Sequence, residues 1–283
     1  MNENTLLYLA FTSQILLISV ILPRVLLSRV RNVMETHPPS QYPKLYPVSS
    51  DVLEARLRTY RVLNLVAVPV GIALLLSRVS SANGEILNWD DQAALGVFAI
   101  LQFVPMILAE RFEAKYRGLM KASNSRSTRT AVLQPRRLFD FVSPTLFAFA
   151  LLTYFAFIGL VAYISRSPFP GFAGSWNAIW LTVVNLFFVW RIHRSMYSKR
   201  TDPYQSDEDR MRQIRRSVTV MFWVSIMMTA FIALGFVLAA TELRSFTAVA
   251  TSLYLQLCAL VGYFTLRYDD VDYEVYRADL PAT

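Results

Sequence analysis

Arg24, Arg61, Asn64, Arg137, Asp140, Asn185 and His193 are the polar side chains of this chain best placed to do chemistry. Asn185 falls near the middle of a long apolar run, and the other six sit where such runs begin or end. As a set they could contact a solute, with Asp140 paired to Arg24 or Arg137. If the helices that carry them converge, they line a vestibule open to the cytoplasm. The simpler expectation is that each long side chain reaches separately for the interface, its stem in lipid and its charge in water.

Sharper chemistry is missing from the pattern. His37 and His193 lie on different loops, with no carboxylate or cysteine at ligand spacing, whereas a catalytic zinc wants three protein ligands. The nine glycines are scattered, whereas a phosphate-cradling loop clusters them. No Gly-x-Ser-x-Gly elbow occurs. The seventh apolar run lacks the lysine that a retinal Schiff base requires, and the single cysteine, Cys258, excludes an internal disulfide framework and a thiolate-rich metal site. Within its apolar run Cys258 is expected to pack as a small hydrophobe. No cofactor and no metal are expected, and the balance leans away from an enzyme.

The elements that would position these groups are clear. Hydrophobic residues make up 54% of the 283 and charged ones only 17%, against about 25% in a soluble domain. The deficit is local, in runs of about 17 to 25 residues. In hydrocarbon such runs must close their backbone hydrogen bonds as helices, and about 20 residues match a core of roughly 30 Å. The fold class expected is all-α, a polytopic transmembrane bundle forming one integral membrane domain over 1–283. Its spans are placed at about 5–27, 61–79, 92–110, 139–164, 174–192, 217–240 and 244–266. Met1 to Thr5 carries Glu3 and no Lys or Arg, so the first run reads as a retained helix rather than a signal peptide.

Charge gives the direction. With helix-end charges assigned to the nearer side, one set of gaps holds three basic residues, Arg78, Arg166 and Arg244. The other set, loops 28–60, 111–138 and 193–216 and tail 267–283, holds the remaining 25 of 28. Lys and Arg resist translocation, so the N-terminus is read as outside and the C-terminus as cytoplasmic. The same excess explains the pI of about 9.7 and suggests contact with anionic lipid headgroups. Nucleic acid is not expected, for no cytoplasmic segment is long enough to make a basic folded domain. A bacterial inner membrane fits the short loops.

Basic cytoplasmic loops recur as three hairpins, a pattern that the demand for basic helix ends explains without a true repeat. Pro38-Pro39-Ser40-Gln41-Tyr42-Pro43-Lys44-Leu45-Tyr46-Pro47 cannot be helical and is expected as polyproline-II or turns, a stiff strap over the cytoplasmic helix ends. Prolines 23, 69, 105 and 144 are read as lying inside helices, where each removes a hydrogen bond. Asp207, Glu208 and Asp209 are placed at a helix start, where acids suit the dipole. At mid-membrane depth only Ser13, Gln14, Gln102, Asn185 and Gln256 are polar, and each is expected to bond a neighbouring helix. Gly235-x-x-x-Ala239 offers a close helix approach or a dimer contact.

Glu54 and Arg58 fit two positions of the Glu-Arg-x-x-Arg-x-x-x-Asn pattern of the membrane-associated eicosanoid and glutathione metabolism family. Ala55 and Val62 depart from it and Asn64 lies two residues late, so the chain is not assigned there. The resemblance covers about 25 residues and implies glutathione among the arginines of the first cytoplasmic loop. The reading favoured is a complex subunit or scaffold acting through helix packing and basic cytoplasmic loops, as a homo-oligomer or with a membrane-protein partner. A transporter or channel for a neutral or amphipathic solute is the alternative, and an enzyme acting on lipid or thiol substrates at the inner surface comes third.

Overall fold

The computed structural model describes the backbone of residues 3–80, 89–123, 137–197, 202–265 and 271–278, and the side chains of 5–77, 96–123, 137–197, 202–263 and 271–278. Parts of the basic loops and tail, including Arg136, lie outside these residues. Every regular element among them is helical. The helices are α1 (Glu3–Leu16), a π-turn (Leu17–Ile21), α2 (Leu22–Thr36), α3 (Ser50–Ser80), α4 (Trp89–Ser123), α5 (Pro144–Ile164), α6 (Ser175–Met196), α7 (Asp207–Ala240) and α8 (Thr247–Thr265).

Five stretches are long and apolar enough to cross a membrane: Thr5–Thr36, Ser50–Ser77, Pro144–Ile164, Asp207–Ala240 and Arg244–Tyr263. This is an integral membrane protein. Its helices show large apolar side chains outward, such as Leu152 at 66% and Phe155 at 63% exposure, a surface that lipid accepts and water does not. α6 is not among these five stretches; it carries Trp176, Trp180 and Trp190 beside Asn177 and Asn185.

Local chemistry sets several boundaries. The π-turn precedes Pro23, whose ring has no N–H and would crowd the Ser19 carbonyl four residues back; widening the helix there relieves the clash. Pro144 stands at the first position of α5 rather than inside a helix, where its missing N–H costs nothing. Ser143 caps that start by accepting the Leu146 N–H at 3.2 Å. The expected span from 139 therefore begins with a short 3-10 turn at Leu138–Asp140 and becomes α-helical at Pro144. α7 opens on its three acids, with Ser206 Oγ accepting the Asp209 N–H at 3.1 Å.

The chain divides into two compact units. The first comprises 1–11, 134–198 and 211–267. Its core runs along α5, α6 and α7, from Phe157, Val161 and Leu181 to Phe141, Ile192, Ile214, Val218 and Phe222. Tyr254 of α8 stacks on Phe231 of α7 with ring centroids 4.3 Å apart.

The second unit comprises 12–133, 199–210 and 268–283. In it α3 packs on the π-turn, α2 and α4. Gly71 permits the crossing: a Cβ there would stand 2.6 Å from Phe98 Cζ and 2.7 Å from Ile15 Cδ1. Gly235 has open space around it within the chain, so the close approach inside this unit is at Gly71 and is not a contact made by Gly235 within the chain.

Candidate functional site

The second unit gathers four sequence-distant segments into a tyrosine-lined clasp. The proline strap supplies Tyr42, Leu45 and Tyr46, the end of α4 Tyr116 and Met120, the segment before α7 Tyr204, and the segment after α8 Val271, Tyr273, Val275 and Tyr276. The strap is non-helical apart from one 3-10 turn at Pro43–Leu45, as its prolines require. Tyr42, Met120 and Tyr276 are buried.

Four of the phenols have a named acceptor. Tyr116 donates to the Leu45 carbonyl at 2.5 Å, Tyr46 to the His37 carbonyl at 2.7 Å, Tyr42 to Glu274 Oε1 at 2.8 Å and Tyr276 to Asp202 Oδ2 at 2.6 Å. Backbone bonds close the seam: Ala278 N–H to the Gln41 carbonyl at 3.0 Å, and Asp272 N–H to Asp209 Oδ2 at 3.0 Å. The His37 ring lies 4.2 Å from that of Tyr273 and 4.8 Å from that of Tyr42. Amphipathic rings suit this role, offering a large apolar body with one polar tip that must be satisfied.

The electrostatics keep these donors protonated. The Glu274 carboxylate, by accepting the Tyr42 hydroxyl, raises that phenol above its ordinary value, and burial adds to the effect. Burial raises Tyr46, Tyr116 and Tyr276, with the Asp202 carboxylate pushing Tyr276 further. The Tyr42 hydroxyl in turn holds Glu274 below the usual carboxylate range, helped by Arg277. The raised phenols stabilise the clasp fully below about pH 10, and that contribution disappears as pH rises through their folded values. The lowered Glu274 contributes above about pH 4.3 and is lost as pH falls through its folded value. Limited proteolysis of segment 271–278 is therefore expected to be slow from about pH 5 to 9 and to accelerate beyond both ends of that window.

At membrane depth the polar groups bond within their own units. Gln14 Nε2 donates to Gln102 Oε1 at 2.6 Å, and Gln102 Nε2 donates to Ser19 Oγ at 3.1 Å, with all three residues buried. In the other unit Ser225 Oγ donates to Asn185 Oδ1 at 2.5 Å. Ser252 Oγ and Gln256 Nε2 both donate to the Ala10 carbonyl, at 2.9 and 3.1 Å.

The seven residues singled out from the sequence fall in both units. Arg24 and Arg61 are exposed on α2 and α3, and Asn64 is buried, donating to the Tyr60 carbonyl at 2.8 Å. Arg137, Asp140, Asn185 and His193 belong to the other unit. Arg137 and Asp140 are joined, but through the main chain: the Asp140 carboxylate accepts the Arg137 backbone N–H at 2.8 Å because the 3-10 turn folds it back. Arg215 donates to the Asp140 carbonyl at 3.2 Å. His193 is exposed in the last turn of α6, its ring 4.7 Å from that of Tyr197.

Asp202, Glu274, Tyr116, Tyr276 and Ser19 were not singled out. A signal existed for the clasp: Tyr42, Tyr46, Tyr116, Tyr204, Tyr273 and Tyr276, six of the 14 tyrosines, fall in its four segments. Comparison with protein-family models, curated proteins and solved structures finds no match.

Proposed function

We propose that this chain is a seven-span membrane protein of the bacterial inner membrane, N-terminal side out and tail in the cytoplasm, serving as a non-enzymatic complex subunit or scaffold. The observation that carries this reading is that the polar side chains at membrane depth bond to other helices of their own unit. Such bonds, about 0.6 kcal/mol each and at most about 2, hold helices together. A solute path would instead want polar groups turned to a passage.

The clasp supports the span count. Its four segments touch one another, so they share one side of the membrane. An even number of crossings must then separate each from the next. Between Tyr46 and Tyr116 stands the strongly apolar Ser50–Ser77, so α4 must cross back. Between Met120 and Tyr204 stands Pro144–Ile164, so α6 must cross back in spite of its tryptophans. The two apolar helices between Asp209 and Asp272 are already even. With the first helix the count is seven, and the arginine distribution puts the clasp in the cytoplasm.

Two measurements test this. In a Cys258→Ala background, Asn88→Cys is expected to label on intact cells and Ser125→Cys only after lysis; the reverse pattern rejects the topology. Purification at native expression is expected to bring down a stoichiometric partner or a homo-oligomer. A solitary monomer, together with loss of solute flux in Asp140→Asn or Arg24→Gln, would replace the scaffold with a transporter.

A further inference from the structure

We infer that Arg24 and Arg61 form a site for the phosphodiester headgroup of one anionic phospholipid of the inner leaflet, at the groove between α2 and α3. This deepens the reading above and rests on its topology. Depth is the first observation. α1 and α3 cross where Ile15 meets Gly71, at the middle of the spans 5–27 and 61–79. On the proposed topology that contact lies near the bilayer midplane. Arg24 lies nine residues beyond Ile15 and Arg61 ten residues before Gly71. At 1.5 Å per residue both stand about 14 Å from the midplane, at the edge of a core roughly 30 Å thick, where the phosphates begin.

Side is the second observation. Gly71 and Asn64 point α3 inward, seven residues apart and both buried. Arg56 leans over Phe112 of α4 at 5.5 Å, which fixes the flank of α3 that faces α4. At 100° per residue Arg58 and Arg61 leave from the opposite flank, and α2 also packs on α3. Arg24 is exposed one residue after the buried Pro23, as Arg61 is on α3. Two long cationic side chains therefore rise at one level from adjacent helices.

Charge is the third. α2 carries no acid before Glu35, and α3 carries none after Glu54. Glu54 lies seven residues before Arg61, about 10 Å along the axis, so no acid of α2 or α3 stands at the level of Arg24 and Arg61. A guanidinium fork matches two phosphate oxygens bidentately, which an isolated interfacial arginine held only by topology does not need a neighbour to do.

The test uses the full chain in nanodiscs with equal phosphatidylglycerol and phosphatidylcholine, followed by native mass spectrometry of retained lipid. The wild type is expected to retain phosphatidylglycerol preferentially. Arg24→Gln with Arg61→Gln is expected to reduce that preference by roughly tenfold or more, while Arg191→Gln with Arg194→Gln, at the end of α6, leaves it unchanged. Arg24→Lys with Arg61→Lys, which keeps charge but loses the fork, is expected to fall between, and it reports on the site if the glutamine pair does not fold. Equal loss in the α6 pair, or no preference in the wild type, overturns the site. Displacement of the lipid by millimolar inorganic phosphate overturns the lipid assignment in favour of a soluble anion. The topology fails separately, through the Asn88 and Ser125 labelling.

Discussion

Tyr276→Ala is expected to open the clasp, at a cost of about 3–5 kcal/mol for removing a buried aromatic. The ring is 5% exposed and packs among Tyr42, Met120, Tyr204 and Val275, so alanine leaves a void that a strap stiffened by proline is poorly able to fill. The hydroxyl contributes separately, through its 2.6 Å bond to Asp202. Tyr276→Phe keeps the packing and strips that carboxylate of its donor, a loss of about 1.5–3 kcal/mol. Protease cleavage within 271–278, or hydrogen exchange at the Ala278 amide, measures both. The alanine variant should expose the segment fully and the phenylalanine variant only in part. Equal protection in wild type and alanine variant would show that the segment is not held by its aromatic core.

Gly71→Leu is expected to be the most damaging single change within the membrane. Even the first carbon of a side chain would meet Phe98 at 2.6 Å and Ile15 at 2.7 Å. Both contacts are side-chain ends, but each residue is 2% exposed and has little room to turn away. Overpacking typically costs about 1–3 kcal/mol; alanine should fall at the low end, where helix propensity offsets it by up to about 1 kcal/mol, and leucine at or above the high end. Thermal unfolding in detergent reads the difference. Gly235→Ala, where an added carbon meets open space, should leave the melting temperature unchanged or raise it. Ile15→Val combined with Gly71→Ala should recover part of the loss, because it removes the Cδ1 atom in the way.

The helices were legible because lipid permits few alternatives. Where apolar runs cross hydrocarbon, composition alone dictates backbone hydrogen bonding, and an observed helix overlaps each expected span. The boundaries shifted where a local rule outweighed hydropathy. Pro144 begins a helix instead of interrupting one, and the first helix continues to Thr36 in amphipathic form beyond the expected end at 27. The strap was legible from its prolines. The partners of Gln14 and Gln102 were not, because the sequence gives depth along each helix but not azimuth between helices. Gly71 has the same spacing as Gly235 and Ala239, with Ala67 four residues before it, and the pattern alone does not tell which of the two meets a neighbouring helix. The clasp was hidden most deeply, since Tyr42 meets Glu274 across 232 residues and no periodicity reaches that far.

The same sequence separation has a consequence for biogenesis. The strap emerges from the ribosome early, yet its partners Glu274 and Ala278 are synthesised only after the intervening helices. Until then the Tyr42 hydroxyl lacks its Glu274 acceptor, while Tyr46 already has the His37 carbonyl. The clasp therefore closes last: Tyr42 and Gln41 cannot make these bonds until residues 274 and 278 have been added to the chain.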